Sequence, residues 1–247
     1  MATASAAQIG AFIEMMAPLA VEQAKKHGNK LFASVCIAQA AHETGWGVGS
    51  PTMMRYNAPF GIKVGNSAYH FGTAWKGASY NSKTTEYYDK NKQVASEIRD
   101  NFRAYSSISD AVEDYMDLLC TASRYKAGVG CATPEESIRA IGPIYATGPD
   151  YAESIIKIIN SKTYNLKKYD AGEVYKPITP ELILNIINGE YGNGSIRQAK
   201  LTAQGYNYAD VRKKINDLDK VGKEILPTIK SKAGEYWKCV IKLMGLV

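Results

Sequence analysis

Glu43 stands near the end of the stretch LFASVCIAQAAHETGWG (31–47), in which Gln39 is the only strongly polar side chain before His42. A carboxyl at the C-terminal end of an apolar helix meets the negative end of the helix dipole. Its apolar neighbours also disfavour the ionised form, and both effects raise its pKa. A carboxyl that keeps its proton near neutral pH suits the general acid of glycoside cleavage. Most glycosidases pair that acid with a second carboxylate. Glu86, within KTTEYY (83–88), is the best-placed candidate, because Asp89, Glu97 and Asp100 fall at turn or outward-facing positions. Other chemistries find less support. His27, His42 and His70 include no HExxH pair, and neither a GxSxG elbow nor a phosphate-binding glycine loop occurs. No metal and no cofactor are expected.

These carboxylates need a scaffold. Ile9, Phe12, Ile13, Met16, Leu19, Ala20 and Ala24 recur at helical spacing over 7–27, with Pro18 as a kink and Gly28-Asn29 as a stop. Residues 30–43 are apolar on nearly every face, which predicts a central, buried helix. Between 50 and 105 the helical period fades. There TTEYYDKNKQVASEIRDNFRAY (84–105) predicts a hairpin around a polar Asp89–Lys92 turn. Helical period returns over 107–123, with Ser109 as the expected cap. It continues after Thr133-Pro134-Glu135-Glu136, and again after Pro149-Asp150.

The segment KTYNLKKYDAGEVYKPITP (162–180) lacks periodicity and predicts a linker. Three short helices separated by glycine turns near 189–194 and 205 then follow. Near the C-terminus, Tyr236, Trp237, Val240, Ile241 and Met244 form an apolar stripe. Docking on its own domain is the first reading of this stripe; self-association through a C-terminal helix is the second. The resulting division is a catalytic unit (1–165), a linker (166–179), a small binding unit (180–219) and a helical tail (220–247).

Charge is uneven. Residues 166–247 carry 14 Lys+Arg against 9 Asp+Glu, whereas 1–165 carry 16 against 15. The last third is therefore suited to polyanions, anionic wall polymers among them; binding of nucleic acid by the basic tail is the weakest reading. Seventeen Tyr against five Phe supply flat faces that carry hydroxyls, which suits sugars. The four cysteines show no metal-type spacing. No membrane span is legible, and MATASAAQIGAFIEMM is a poor secretory signal.

The ordered motifs IAQAAHETGWGVGS, YNAPFGIKVG, KTTEYYDKNKQVASEIRDNFRAYSSISDAVEDYMDLL and YATGPDYAESIIKII resemble glycoside hydrolase family 73, the glucosaminidases that include autolysins and phage lysins. The likeness runs from about residue 8 to 166. It implies a lysozyme-like α+β fold, mostly α with a small β lobe, and hydrolysis of the β-1,4 bond between N-acetylglucosamine and N-acetylmuramic acid in peptidoglycan. Glu43 falls on the family's catalytic glutamate, with Thr44 where Ser is usual, and Glu86 on its second acid. Trp46, Asn57, Phe60, Tyr145 and Tyr151 fall on positions implied to build the saccharide cleft, Trp46 as a wall. The extra residue in NAPFGIK bears on where Asn57 sits.

Residues 181–217 resemble a single cell-wall-binding repeat of the CW_7 type, with Tyr191 where the signature has Trp. That likeness implies a three-helix unit binding muropeptide through Tyr191, Asn193, Arg197 and Tyr206. Together the two likenesses imply a bacteriolytic endolysin of phage or prophage origin, made in the host cytoplasm and acting at the cell wall after release. Two other readings are a catalytically silent wall-binding virion protein and a lytic transglycosylase.

Overall fold

The computed structural model of the chain describes residues 3–65, 70–89, 94–172, 176 and 178–225. It divides into two compact units, Met1–Glu173 and Val174–Val247.

In the first unit, α1 (Ala6–Lys26) opens with a capping box. The Ser5 hydroxyl accepts from the Gln8 amide, and the Gln8 side chain accepts from the Ser5 amide. The helix runs through Pro18 and buries Phe12, Ile13, Met16, Ala17, Ala20 and Val21. Helix α2 (Ala33–Thr44) is buried at every position from Ala33 to Ala41, the central helix expected from its composition. It ends at Gly45, whose left-handed backbone (φ 56°) continues through Trp46 (φ 60°) and Gly47 (φ 80°). The turn is tight, since a Cβ on Gly45 would lie 3.0 Å from the Gly49 Cα.

A short helix absent from the sequence reading, α3 (Pro51–Arg55), leads to the hairpin of β1 (Ser79–Asp89) and β2 (Val94–Arg103). The strands pair antiparallel, Glu86 opposite Ser96, with an irregularity between Tyr87 and Asp89. The proposed turn at the hairpin tip lies largely outside the described residues. Lys63 makes an isolated antiparallel bridge to Phe102, which adds a third segment to the lobe.

Helix α4 (Ile108–Thr121) is capped by Ser107, whose hydroxyl accepts from the Asp110 amide at 3.1 Å, and not by Ser109. Ser107 has the extended backbone a cap requires and stands three residues ahead of that amide, whereas Ser109 is already inside the first turn. After a 3-10 helix (Ser123–Gly128) comes α5 (Pro134–Tyr145), capped by Thr133 as the sequence suggests. In α6 (Tyr151–Ile159) that device is not repeated. Asp150 holds the cap position without a side-chain bond, and Pro149 precedes it. A second 3-10 helix, Leu166–Ala171, occupies the start of the segment read as a linker. There Leu166 is fully buried, and both Asp170 carboxylate oxygens accept from Ser34, at 2.8 and 2.7 Å.

The second unit contains α7 (Pro180–Ile187), α8 (Gly194–Ala203) and α9 (Tyr208–Ile225). Leu182, Ile186, Leu201 and Val211 form its core, flanked by Tyr191, Tyr206 and Tyr208. Cys36, Cys120 and Cys131 are free thiols, and the apolar stripe over 236–244 lies outside the described residues. Among the described residues no helix is long and apolar enough to cross a membrane.

Candidate active site

An open cleft of about 1030 Å³ separates the helices of the first unit from the hairpin, and both Glu43 and Glu86 line it. Glu43 reaches it from the last turn of α2, Glu86 from β1. Gly61, at φ 60°, lies beside Glu43, and a Cβ there would stand at ordinary contact distance, 3.9 Å, from Oε2.

Glu43 is held from behind. The Tyr151 hydroxyl donates to its Oε1 at 2.7 Å. Gln39 Nε2 donates to the Tyr151 oxygen at 2.9 Å, and the Tyr115 hydroxyl donates to Gln39 Oε1. Burial pushes the Glu43 carboxyl up to about 7, against the opposing pull of the Tyr151 hydrogen bond. The raised value expected from helix position and apolar surroundings is present, with burial as its leading cause.

Linkage gives this shift a sign. The Glu43 pKa rises from about 4.5 when solvated to about 7 in the fold. The folded chain therefore binds the proton more tightly, and the stabilisation is complete below pH 4.5 and lost as pH rises through about 7. Glu43→Gln should erase this dependence. Thermal melts of variant and parent across pH 5–8 are expected to diverge in the variant's favour as pH rises; parallel curves would count against a buried, proton-retaining Glu43.

Glu86 is held differently. Its Oε1 accepts from Lys63 Nζ at 2.7 Å and its Oε2 from the Thr147 hydroxyl at 3.1 Å. Lys63 also bridges to Asp100 at 3.1 Å. Thr147 accepts in turn from the Tyr87 amide at 3.1 Å, which ties the strand to the segment after α5.

Of the five remaining candidates, the structure brings three to the cleft. Tyr145 and Tyr151 line it with their rings stacked at 6.0 Å, and the Tyr145 hydroxyl donates to the Phe60 carbonyl at 2.8 Å. Phe60 also lines it, but its ring is buried against Tyr115 at 4.1 Å and forms floor more than sugar-facing surface. Trp46 and Asn57 are not among the cleft-lining residues. The Trp46 ring packs on Phe12 and Tyr164, so this residue secures the turn that ends α2. Asn57, also left-handed (φ 51°), donates from Nδ2 to the carbonyls of Tyr105 and Ser106, clamping the approach to α4.

Residues missed in the sequence complete the site: Gln39, Tyr115, Lys63, Thr147 and Tyr80. For Gln39 a signal existed, a lone amide in an apolar helix one turn before Glu43. The others carried no local signal, because their partners are distant in the chain.

In the second unit, Arg197 donates to the Gly192 carbonyl at 2.9 Å and to Asn193 Oδ1 at 2.8 Å. Tyr191 donates to Gln204 Oε1 at 2.8 Å and flanks the core together with Tyr206. Arg197 further lines a small cavity of about 150 Å³ with Tyr208 and Arg212.

Comparison with known proteins gives two family matches. The family described as mannosyl-glycoprotein endo-beta-N-acetylglucosaminidase matches residues 17–164, and the CW_7 repeat matches residues 181–218. Peptidoglycan hydrolase FlgJ of Escherichia coli K12 is 34% identical over 147 residues, covering 53% of this chain and 42% of that protein. A probable N-acetylmuramidase of Lactococcus lactis subsp. cremoris is 33% identical over 169 residues, covering 65% of this chain and 35% of that protein. The chain thus spans less than half the length of these two relatives. Among solved structures, a peptidoglycan hydrolase mutant from Sphingomonas sp. A1 aligns with a TM-score of 0.53 at 30% identity, over 64% of this chain and 97% of that one.

Proposed function

Because this chain belongs to the glucosaminidase family and carries a CW_7 repeat, we propose that it hydrolyses the glycan strands of bacterial peptidoglycan, with Glu43 as general acid. The observation that carries this reading is a buried carboxyl raised to about 7 in the same cleft as a second, ion-paired carboxylate. Glu43 protonates the glycosidic oxygen leaving N-acetylglucosamine, at the β-1,4 bond to N-acetylmuramic acid. Charge then develops at the anomeric carbon. It is quenched by water activated at Glu86, with inversion, or by the substrate's own acetamido oxygen, with retention. NMR of the anomer first released distinguishes these routes. Tyr145, half-buried in the cleft wall with its ring stacked on the buried Tyr151, offers aromatic surface beside the acid.

The second unit, in this reading, holds the enzyme on its insoluble substrate through Tyr191, Asn193, Arg197 and Tyr206, which raises the local concentration of glycan at the cleft. Lysis of a host wall after release is the setting that fits both units.

Mass spectrometry of products from purified peptidoglycan tests the proposal. Fragments ending in reducing N-acetylglucosamine are the expected result. Reducing N-acetylmuramic acid would assign the other glycan bond, and anhydro products about 18 Da lighter would assign a transglycosylase. Intact glycan would leave a wall-binding protein with a silent cleft.

A further inference from the structure

Gln39 is fully buried in a helix whose other buried side chains are small or apolar, and a polar group there is costly unless both its ends are satisfied. Both are. Its carbonyl accepts from the Tyr115 hydroxyl, and its Nε2 donates to the Tyr151 oxygen at 2.9 Å. An amide nitrogen cannot accept a hydrogen bond. The single hydroxyl hydrogen of Tyr151 therefore cannot turn back toward Gln39, and it goes to Glu43 Oε1 at 2.7 Å. The opposite amide orientation would reverse the chain: Tyr151 would donate to Gln39 and could only accept from Glu43.

We infer that Gln39 is a positioning residue: anchored by Tyr115, its amide directs the Tyr151 hydrogen onto Oε1 of Glu43 and so leaves Oε2 as the oxygen that carries and delivers the proton. This rests on the reading of Glu43 as the general acid. The spacing supports it, since Gln39 and Glu43 stand one turn apart on α2 and meet the same phenol. Of the two carboxylate oxygens, Oε2 is the one on the Gly61 side. The titratable groups around Glu43 are Tyr151 from α6, Tyr145 from α5, Tyr115 from α4, Tyr80 from β1 and His42 from α2 itself. The phenols among them have pKa values raised above the ordinary tyrosine range, so they stay neutral wherever Glu43 titrates.

Gln39→Met keeps the length of the side chain and removes both hydrogen bonds. Tyr151 keeps Glu43 as its acceptor, but without the Gln39 donor its hydroxyl is less polarised and less firmly placed, so its bond to the ionised carboxylate weakens. The neutral form of Glu43 is then favoured, and the carboxyl loses its fixed orientation. On soluble peptidoglycan fragments, the basic limb of kcat/KM against pH should move upward by about 0.5–1 pH unit. The plateau rate should fall at least about tenfold. A residue that only staples α2 to α4 and α6 would lower the melting temperature and leave the limb in place.

In the unaltered protein, NMR should show the Gln39 side-chain NH2 close to the Tyr151 ring hydrogens ortho to the hydroxyl, and not to those of Tyr115. This measurement stands even if Gln39→Met does not fold. An unmoved basic limb in a folded Gln39→Met, or the reversed pattern of contacts, overturns the inference. Glu43→Gln run alongside separates the two claims. Turnover surviving in Glu43→Gln removes the acid assignment, while turnover lost there with an unmoved limb in Gln39→Met removes only the role of Gln39.

Discussion

Glu43→Gln is expected to lower release of reducing ends from purified peptidoglycan by about 10²–10⁴-fold, the usual contribution of a general acid. The substitution is close to isosteric. Its amide oxygen still accepts from Tyr151, so the hydrogen-bond chain through Gln39 and Tyr115 persists. What the amide lacks is a proton it can transfer. The loss should therefore appear in kcat, while the melting temperature at pH 8 holds or rises because a carboxyl that resists ionisation has been removed. Wild-type turnover should decline above about pH 7, as Glu43 loses its proton. Unchanged turnover in a folded Glu43→Gln would remove Glu43 from the mechanism and return attention to Glu86.

Asp114→Ala is expected to produce the largest loss of stability. Arg103, at the end of β2, is 1% exposed, and its Nη1 lies 3.0 Å from both carboxylate oxygens of Asp114, which is fully buried on α4. The Tyr105 hydroxyl donates to the same carboxylate at 2.7 Å. The guanidinium also lies over Phe71 and Trp75, at 4.3 and 4.1 Å from their ring centres. Removing the carboxylate takes away the ion-pair partner of the buried guanidinium and the acceptor of the buried Tyr105 hydroxyl together, at a cost of about 3–5 kcal/mol. In a unit of this size that corresponds to a melting temperature lower by on the order of 10 °C.

The exposed pair Arg139–Glu153, also at 3.0 Å, provides the contrast. Glu153→Ala should cost less than about 1 kcal/mol, because solvent already screens that pair. Equal losses in the two variants would show that the buried pair does not anchor the lobe. Activity of Asp114→Ala should fall as well, since this pair ties the hairpin carrying Glu86 to the helical body.

The reading of the sequence succeeded where the decisive physics is local. Helix α2 has no polar face, so its burial is legible from composition. The hairpin is legible from alternation around polar residues, and Thr133-Pro134 marks a helix start because cap geometry involves only the next three residues. It erred by two residues at Ser107. Two serines within one turn both satisfy the pattern, and only backbone conformation tells which one is the cap.

Glu43 and Glu86 were picked out by residue type and position, and Phe60, Tyr145 and Tyr151 only by the likeness to the family; all five line one cleft. Trp46 and Asn57 belong to the same motifs, yet both adopt left-handed backbone and turn their side chains into packing and backbone clamps. Residue type by itself therefore specified an acid in an apolar setting and the scaffold to carry it. The partners of that acid were decided by tertiary structure. The bonds from Tyr151 to Glu43, Gln39 to Tyr151 and Tyr115 to Gln39 join residues 108, 112 and 76 positions apart. Such bonds exist only once α2, α4 and α6 have docked, and no local pattern encodes that docking. The feature that sets where the proton sits on Glu43 is accordingly a property of the packed core.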